Sequence, residues 1–234
     1  PDRGRDESRC PGYVMPSTSA IEVRSFFDAR TGTATHLALD PGNRRCAIVD
    51  PVLDFDAASG RTSTAAIDPV LACIDAEQLS VDWILETHVH ADHLSAAPYL
   101  QARVGGRIGI GLGVVDAQAV FGEVFGAEST FVADGRQFDR LFADGDTFEI
   151  GTRTCRVLHT PGHTPACVSY LVDDALFVGD TLFAPDFGTA RCDFPGGDAL
   201  TLYRSIQRLL ELPDTVRVFL CHDYPPATRG PVVV

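Results

Sequence analysis

Between Thr87 and His93 the chain reads Thr-His-Val-His-Ala-Asp-His, and four of these residues, His88, His90, Asp92 and His93, carry side chains able to bind a metal ion. A lone histidine is most often a hydrogen-bonded surface or core residue. Three imidazoles and a carboxylate packed into one short run are different, because burying them together without a cation would leave polar and charged groups to satisfy one another. Imidazole and carboxylate donors suit zinc and the first-row transition metals. Further ligand-type residues close later apolar runs: His159 and His163 in His-Thr-Pro-Gly-His-Thr, Asp180 after Phe-Val-Gly, and His222 after Phe-Leu-Cys. Residues that follow strands gather at a sheet edge, where loops build sites. The remaining histidine, His36, has no ligand-type neighbour and reads as structural.

The elements that must position these groups follow from hydrophobic periodicity. Residues 81–86 read as a buried strand and residues 91–104 as a helix with Leu94, Ala97, Tyr99 and Leu100 on its apolar side. The ligand cluster would then lie on a strand-to-helix turn, with Asp92 favoured electrostatically at the helix N-terminus. Upstream, residues 21–27 and 34–39 form a hairpin pattern and residues 46–50 a third strand. Residues 54–64 are polar and small, and read as a loop delivering Ser63 or Thr64 as the cap of a helix over 65–78. Downstream come a strand at 107–111, a helix at 114–125, strands at 147–150, 153–158, 166–172 and 175–178, a helix at 198–212 and a last strand at 216–220.

Composition narrows the chemistry. All 19 basic residues are arginine against 32 acidic ones, for a net charge of −13. Without lysine there is no Schiff base and no P-loop lysine, and such acidity disfavours a phosphate-backbone partner, so no nucleic acid is expected. No apolar run approaches the roughly 20 residues of a membrane span, so no membrane partner is expected either. Seven cysteines without a C-x-x-C pair argue against a disulfide framework. With no secretory pattern at the start, a reducing cytoplasm fits. Residues 1–14 read as a disordered or non-native extension ahead of Met15, the only methionine, and residues 15–234 as a single domain. Strand alternation would turn Cys221 away from the face that His222 occupies, as a small core residue.

His-x-His-x-Asp-His, Pro-Gly-His-Thr, Gly-Asp and a late histidine, in that order over residues 21–224, resemble the metallo-β-lactamase superfamily. That resemblance implies an α/β (α+β) fold, an αβ/βα four-layer sandwich of two mixed β-sheets flanked by helices. In a two-metal member His88, His90 and His163 would hold one metal and Asp92, His93 and His222 the other, with Asp180 bridging. His159 falls outside that pattern and reads as a hydrogen bond supporting its turn.

Because fold does not settle function, the branch rests on finer matches. Only twelve residues follow His222 here, where hydroxyacylglutathione hydrolases of glyoxalase II type place a helical substrate-binding domain. The segments Gly-Thr-Ala-Arg-Cys-Asp-Phe-Pro-Gly-Gly at 188–197, Leu-Tyr-Arg-Ser-Ile at 202–206 and Cys-His-Asp-Tyr at 221–224 resemble the persulfide dioxygenase (sulfur dioxygenase) branch, especially bacterial members described as lactamase-like hydrolases. The branch implies one Fe(II) per chain held by His88, His163 and Asp180, with His90, Asp92, His93 and His222 around them or in a second metal site. It implies oxidation of glutathione persulfide by dioxygen to sulfite and glutathione. The expected partners are therefore a small thiol persulfide and dioxygen, and assembly as a homodimer stays open. Arg191 is the candidate anchor for an anionic part of the substrate, its competing role being an ion pair with Asp193 or Asp186. Thr164 and Tyr224 are candidate hydrogen-bond donors near the metal. The alternative enzyme is a dinuclear hydrolase with two zinc ions acting on a thioester or lactone, glyoxalase II-like or lactonase-like. The alternative outside enzymes is a metal-dependent sensor.

Overall fold

The computed structural model describes residues 20–234, so the expected extension over 1–14 lies outside the described residues. The hairpin signal produces β1 (Glu22–Asp28) and β2 (Thr33–Asp40), followed by β3 (Arg45–Val49). Next come a short hairpin of β4 (Val52–Asp56) and β5 (Arg61–Ser63), then α1 (Asp68–Glu77) and β6 (Ser80–Leu85). The chain continues through β7 (Leu94–Ser95), α2 (Ala97–Val104), β8 (Arg107–Gly111), α3 (Val114–Val124) and β9 (Arg140–Phe142). The second half holds β10 (Thr147–Ile150), β11 (Arg153–His159), β12 (Val168–Val172), β13 (Ala175–Phe177), α4 (Ala199–Leu210) and β14 (Arg217–Phe219).

These strands make a six-stranded mixed sheet in the order β1-β2-β3-β6-β8-β9 and a five-stranded mixed sheet in the order β10-β11-β12-β13-β14. The period of two along each strand sends alternate side chains to opposite faces. In β3, Ala47 and Val49 face the space between the sheets, where they meet Trp83, Phe142, Phe148, Val157 and Tyr170. Cys46 and Ile48 face outward onto Val70, Leu71 and Ile74 of α1 and Leu100 of α2. On the other side Leu158, Leu176 and Leu220 pack with Leu209 of α4. The result is the four-layer αβ/βα sandwich expected from the motif order. Trp83 adds a specific tie between sheets, its Nε1–H donating to the Glu149 carbonyl at 3.0 Å. Among the described residues no helix is long and apolar enough to cross a membrane.

Two expected elements differ, and both differences matter to the site. The helix expected over 91–104 begins only at Ala97, after the two-residue strand β7 pairs with Val52 and Leu53 of β4. Pro98 explains the boundary: it lacks an N–H and clashes with a preceding helical turn, so it is accommodated only in the first turn. Leu94, expected on the apolar helix face, is 44% exposed, and Asp92 sits in an irregular turn ahead of the helix. Likewise residues 54–64 fold largely as the β4–β5 hairpin, and α1 starts at Asp68, with Ile67 at its cap and Pro69 in its first turn. Thr64 contributes its carbonyl, which accepts from Ile67 and Asp68 N–H, while neither Ser63 nor Thr64 forms the expected side-chain cap.

Candidate metal centre

The loops that follow β6, β11, β13 and β14 meet at one edge of the sandwich. There His88 Nε2 lies 3.6 Å and His163 Nε2 3.4 Å from the same oxygen, Asp180 Oδ2. His222 Nε2 lies 3.4 Å from the other oxygen, Asp180 Oδ1, and 3.6 Å from Asp92 Oδ2. Donors bound to one metal at about 2.0–2.2 Å stand roughly 3 to 3.5 Å apart, so these spacings are those of a ligand set. All four central groups, His88, His163, Asp180 and His222, are buried.

Each imidazole is aimed by a bond at its far nitrogen. His163 Nδ1–H donates to the Arg191 carbonyl at 2.6 Å and His93 Nδ1–H to the Leu94 carbonyl at 3.0 Å; a carbonyl can only accept, so Nε2 is left as the donor atom for a metal. For His88 the chain is one step longer. Thr87 Oγ1–H donates to Asp50 Oδ2 at 2.9 Å, so the hydroxyl must accept from His88 Nδ1–H, 3.0 Å away. Asp50, in turn, also accepts from Thr87 N–H at 2.7 Å and adopts a left-handed backbone with φ of 50°. Two close approaches keep these loops together. A Cβ on Gly179, whose φ is +53°, would lie 2.6 Å from Thr87 Oγ1, and one on Gly162 would meet the backbone of Leu202 at 2.3 Å.

The electrostatics suit a cation. Burial, reinforced by the neighbouring imidazoles, pushes His88 well below its usual range, and burial takes His93 down to about 4. Both are therefore neutral, which is the metal-binding form. Burial pushes the Asp180 carboxyl up, against the opposing pull of the His222 and His163 imidazoles. His93 Nε2 and Asp180 Oδ1 are buried with no hydrogen-bond partner, and such orphaned groups are costly unless an ion or water meets them. These residues fit a metal.

The model of the metallo-beta-lactamase superfamily matches residues 32–222, a span that contains every ligand just described. The chain belongs to this superfamily. A protein of Burkholderia pseudomallei named as a probable metallo-hydrolase is 55% identical over 220 residues, covering 90% of this chain and 75% of that protein. The human mitochondrial persulfide dioxygenase ETHE1 is 30% identical over 211 residues, covering 89% of this chain and 70% of the human one. The crystal structure of ETHE1 from Myxococcus xanthus superposes with a TM-score of 0.69 at 30% identity, over 87% of this chain and 76% of that one.

His90 is held through the opposite nitrogen from the other imidazoles. Its Nε2 lies 3.2 Å from Asp50 Oδ1 and 3.3 Å from Glu86 Oε2, which leaves Nδ1, buried and without a hydrogen-bond partner, as its remaining donor atom. Burial alone would lower the His90 imidazolium, but the charges and bonds of Asp50 and Glu86 outweigh it and raise it well above the usual range. His90 also lies with Asp92 and His93, and with Cys221 and His222, in groups whose donor atoms are within 4.8 Å of one another.

The residues expected beyond the ligands are placed unequally. Arg191 forks onto Asp193, at 2.6 and 2.7 Å, with its side chain 65% exposed, so the competing ion pair is the one formed; its guanidinium also lies 4.9 Å over the Phe194 ring. Its backbone, not its charge, touches the ligand set. Thr164 is buried but spends its hydroxyl inside its own loop, on Cys167 Sγ and the Ala166 N–H, rather than donating toward the metal. Tyr224 stacks on His222 with ring centroids 5.7 Å apart and planes within 6°. With Phe183, Phe187 and Phe194 it walls a cavity of about 390 Å³ that opens onto His163, Asp180 and His222. His159 makes the supporting bond expected of it, from Nε2 to the Pro165 carbonyl at 3.0 Å. His36 is buried between Ser25 Oγ and the Leu220 carbonyl, away from the cluster.

Cys221 is buried, as a small core residue should be, but not on the face expected. Its sulfur lies within 4.8 Å of ring nitrogens of His90 and His222, on the side of the site. Regular alternation stops because β14 ends at Phe219; beyond it the Cys221 carbonyl accepts from Ala34 N–H and the chain bends to bridge Thr33 with His222. Asp50, Glu86 and Thr87 were not singled out by spacing. The available signal was an acidic residue closing each of two apolar strands, Asp50 before Pro51 and Glu86 before the histidine run.

Proposed function

We propose that the chain is a mononuclear Fe(II) persulfide dioxygenase, with His88, His163 and Asp180 as the protein ligands and glutathione persulfide as substrate. The observation that carries this reading is the convergence of two imidazoles and one carboxylate in one group, His88, His163 and Asp180, a three-point holder of the type used by non-haem iron oxygenases. The likeness to ETHE1 proteins supports the same branch. Bound iron would supply the electron chemistry between dioxygen and sulfur. Net, glutathione persulfide, dioxygen and water give glutathione, sulfite and two protons.

The chain's own groups do the positioning. The Arg191 carbonyl and Thr87 hydroxyl fix the tautomers of His163 and His88, so both present a lone pair rather than a proton. Phe183, Phe187, Phe194 and Tyr224 form an apolar wall that excludes water from the side on which the substrate sulfur enters. At the cavity mouth Arg191 is exposed, and its fork can pass from Asp193 to a substrate carboxylate without losing its charge partner.

A second reading has its own observation. His93 Nε2 and Asp180 Oδ1 stand unpartnered beside Asp92 and His222, which supports a second ion and a dinuclear zinc hydrolase of thioesters or lactones. The Burkholderia relative's name points the same way. Oxygen-electrode traces separate the two. Protein loaded anaerobically with iron should consume dioxygen only with glutathione persulfide and release sulfite, and His88→Ala, His163→Ala and Asp180→Ala should each abolish iron binding and uptake. His222→Ala should keep most of the iron. No persulfide-dependent uptake by fully iron-loaded protein would defeat the dioxygenase, and thioester cleavage by zinc-loaded protein without oxygen would put the hydrolase in its place.

A further inference from the structure

We propose that Arg229 is a positioning residue that clasps together the two loops walling the aromatic cavity and so sets how tightly that cavity grips its substrate, on the reading above that the thiol substrate enters there.

Two separate stretches supply this wall. Phe183 and Phe187 come from the segment after β13, and Tyr224 from the turn after β14. Their rings meet, with centroids 5.0 Å apart for Phe187 and Tyr224 and 6.1 Å for Phe183 and Tyr224. Ring contact alone is a weak tether here, because Phe187 is 53% and Tyr224 43% exposed and much of each ring stays in water. The backbone bonds of the first stretch are local: Phe183 N–H donates to the Gly188 carbonyl, and Phe187 and Gly188 N–H to the Ala184 carbonyl. A guanidinium joins it to the second. Arg229 Nε and Nη2 fork onto Asp186 at 2.9 and 2.7 Å, while Nη1 and Nη2 fork onto Asp223 at 2.7 and 2.8 Å. Asp186 immediately precedes Phe187 and Asp223 immediately precedes Tyr224, so each carboxylate fixes the backbone beside a wall residue.

The geometry calls for arginine. Its planar group presents N–H donors in a rigid fork and holds two carboxylates at once, which a single ammonium cannot do with the same alignment. The Asp223 side chain is wholly buried and accepts otherwise from Val232 N–H, so it is the fixed end of the clasp. Asp186, 46% exposed, is the end on the loop that would move. Bidentate, networked and partly buried, these pairs escape the near-zero worth of isolated surface ion pairs. Without the clasp, Phe187 and Tyr224 would have to be ordered each time substrate binds, a cost that falls on affinity. None of the bonds of Arg229 reaches His88, His163 or Asp180, so metal content should not follow.

The test compares full-chain wild type with Arg229→Ala, Arg229→Lys and Asp186→Ala. Arg217→Ala is the control, because Arg217 forks in the same way onto Asp174 at the opposite end of β14. Hydrogen exchange of residues 182–190, read by mass spectrometry, should quicken about tenfold in Arg229→Ala and Asp186→Ala and stay at the wild-type rate in the control. Zinc-loaded protein titrated with glutathione in a calorimeter should bind about tenfold more weakly in the same two variants, with Arg229→Lys in between and zinc content unchanged. With iron and glutathione persulfide, KM should rise while kcat holds, a split that a general loss of stability would not produce. Should Arg229→Ala strand the buried Asp223 and fail to fold, Asp186→Ala decides, because there Asp223 keeps its partner. Wild-type exchange rates in folded Asp186→Ala overturn the clasp, whatever reaction the protein performs. Quickened exchange with unaltered glutathione affinity, or a wild type that binds no glutathione, overturns its hold on substrate, and loss of zinc from the variants would make Arg229 a support of the metal instead. Absence of persulfide-dependent oxygen uptake defeats the proposed reaction while leaving exchange and glutathione binding readable, so the two failures are distinguishable.

Discussion

Replacing Thr87 by Val isolates the bond that aims His88. Valine keeps the β-branched shape packed against Gly179 and deletes only Oγ1, which donates to Asp50 Oδ2 at 2.9 Å and accepts from His88 Nδ1 at 3.0 Å. One lost bond is to a buried carboxylate, about 1.5–3 kcal/mol, and the other is to a neutral imidazole, about 1 kcal/mol. Asp50 keeps Thr87 N–H and His90 as partners, so the metal-free protein should lose about 2–4 kcal/mol rather than collapse. The His88 ring, freed to rotate, should weaken metal binding about 10–100-fold, the usual effect of removing the group behind a ligand. That corresponds to about 1.4–2.7 kcal/mol, so the extra stability conferred by metal should shrink by the same amount. Competition against a chromophoric chelator measures the affinity, and urea unfolding with and without metal measures the stability. A Thr87→Val protein that binds metal within twofold of wild type would show that the Asp50–Thr87–His88 chain does not position the ligand.

Two further outcomes are expected. Arg191→Ala removes a side chain that reaches only Asp193, the Phe194 ring and the cavity mouth, while the carbonyl that holds His163 stays. Metal content should be unchanged and KM should rise more than kcat falls, and an unchanged kcat/KM would remove Arg191 from substrate binding. His36 supplies a pH dependence independent of the metal: burial lowers it from 6.5 to about 4. The unfolded chain therefore takes up a proton near pH 6.5 that the folded one refuses until about pH 4, so this contribution is fully present above pH 6.5 and is lost as pH falls toward 4. Between pH 7 and 5 it amounts to about 2 kcal/mol, and urea midpoints of metal-free wild type and His36→Gln at the two pH values should diverge accordingly; parallel curves would refute it.

Much of the centre could be read from residue order alone. His-x-His-x-Asp-His, the Pro-Gly-His turn, Gly-Asp and the late histidine each follow an apolar run, and strands that end in ligand-type residues deliver them to one edge in a two-sheet sandwich. Most of the longer strands and the outer helices were likewise legible, because alternation and helical periodicity are local properties of the chain, while their arrangement in two sheets rested on the resemblance. Direction was not legible. Which nitrogen of His90 is tied up depends on a carboxylate forty positions earlier, which only the parallel pairing of β3 with β6 brings alongside. Cys221 came onto the side of the site because the strand stops one residue short of where alternation was extrapolated. The helix over 91–104 began late because the ligand turn and the β4–β7 pairing, reinforced by Pro98, took its first residues. Local pattern determines which face a residue occupies within an element. What a side chain at the end of an element points toward is set by groups from other elements, through burial and hydrogen bonding, and these exist only in the folded structure.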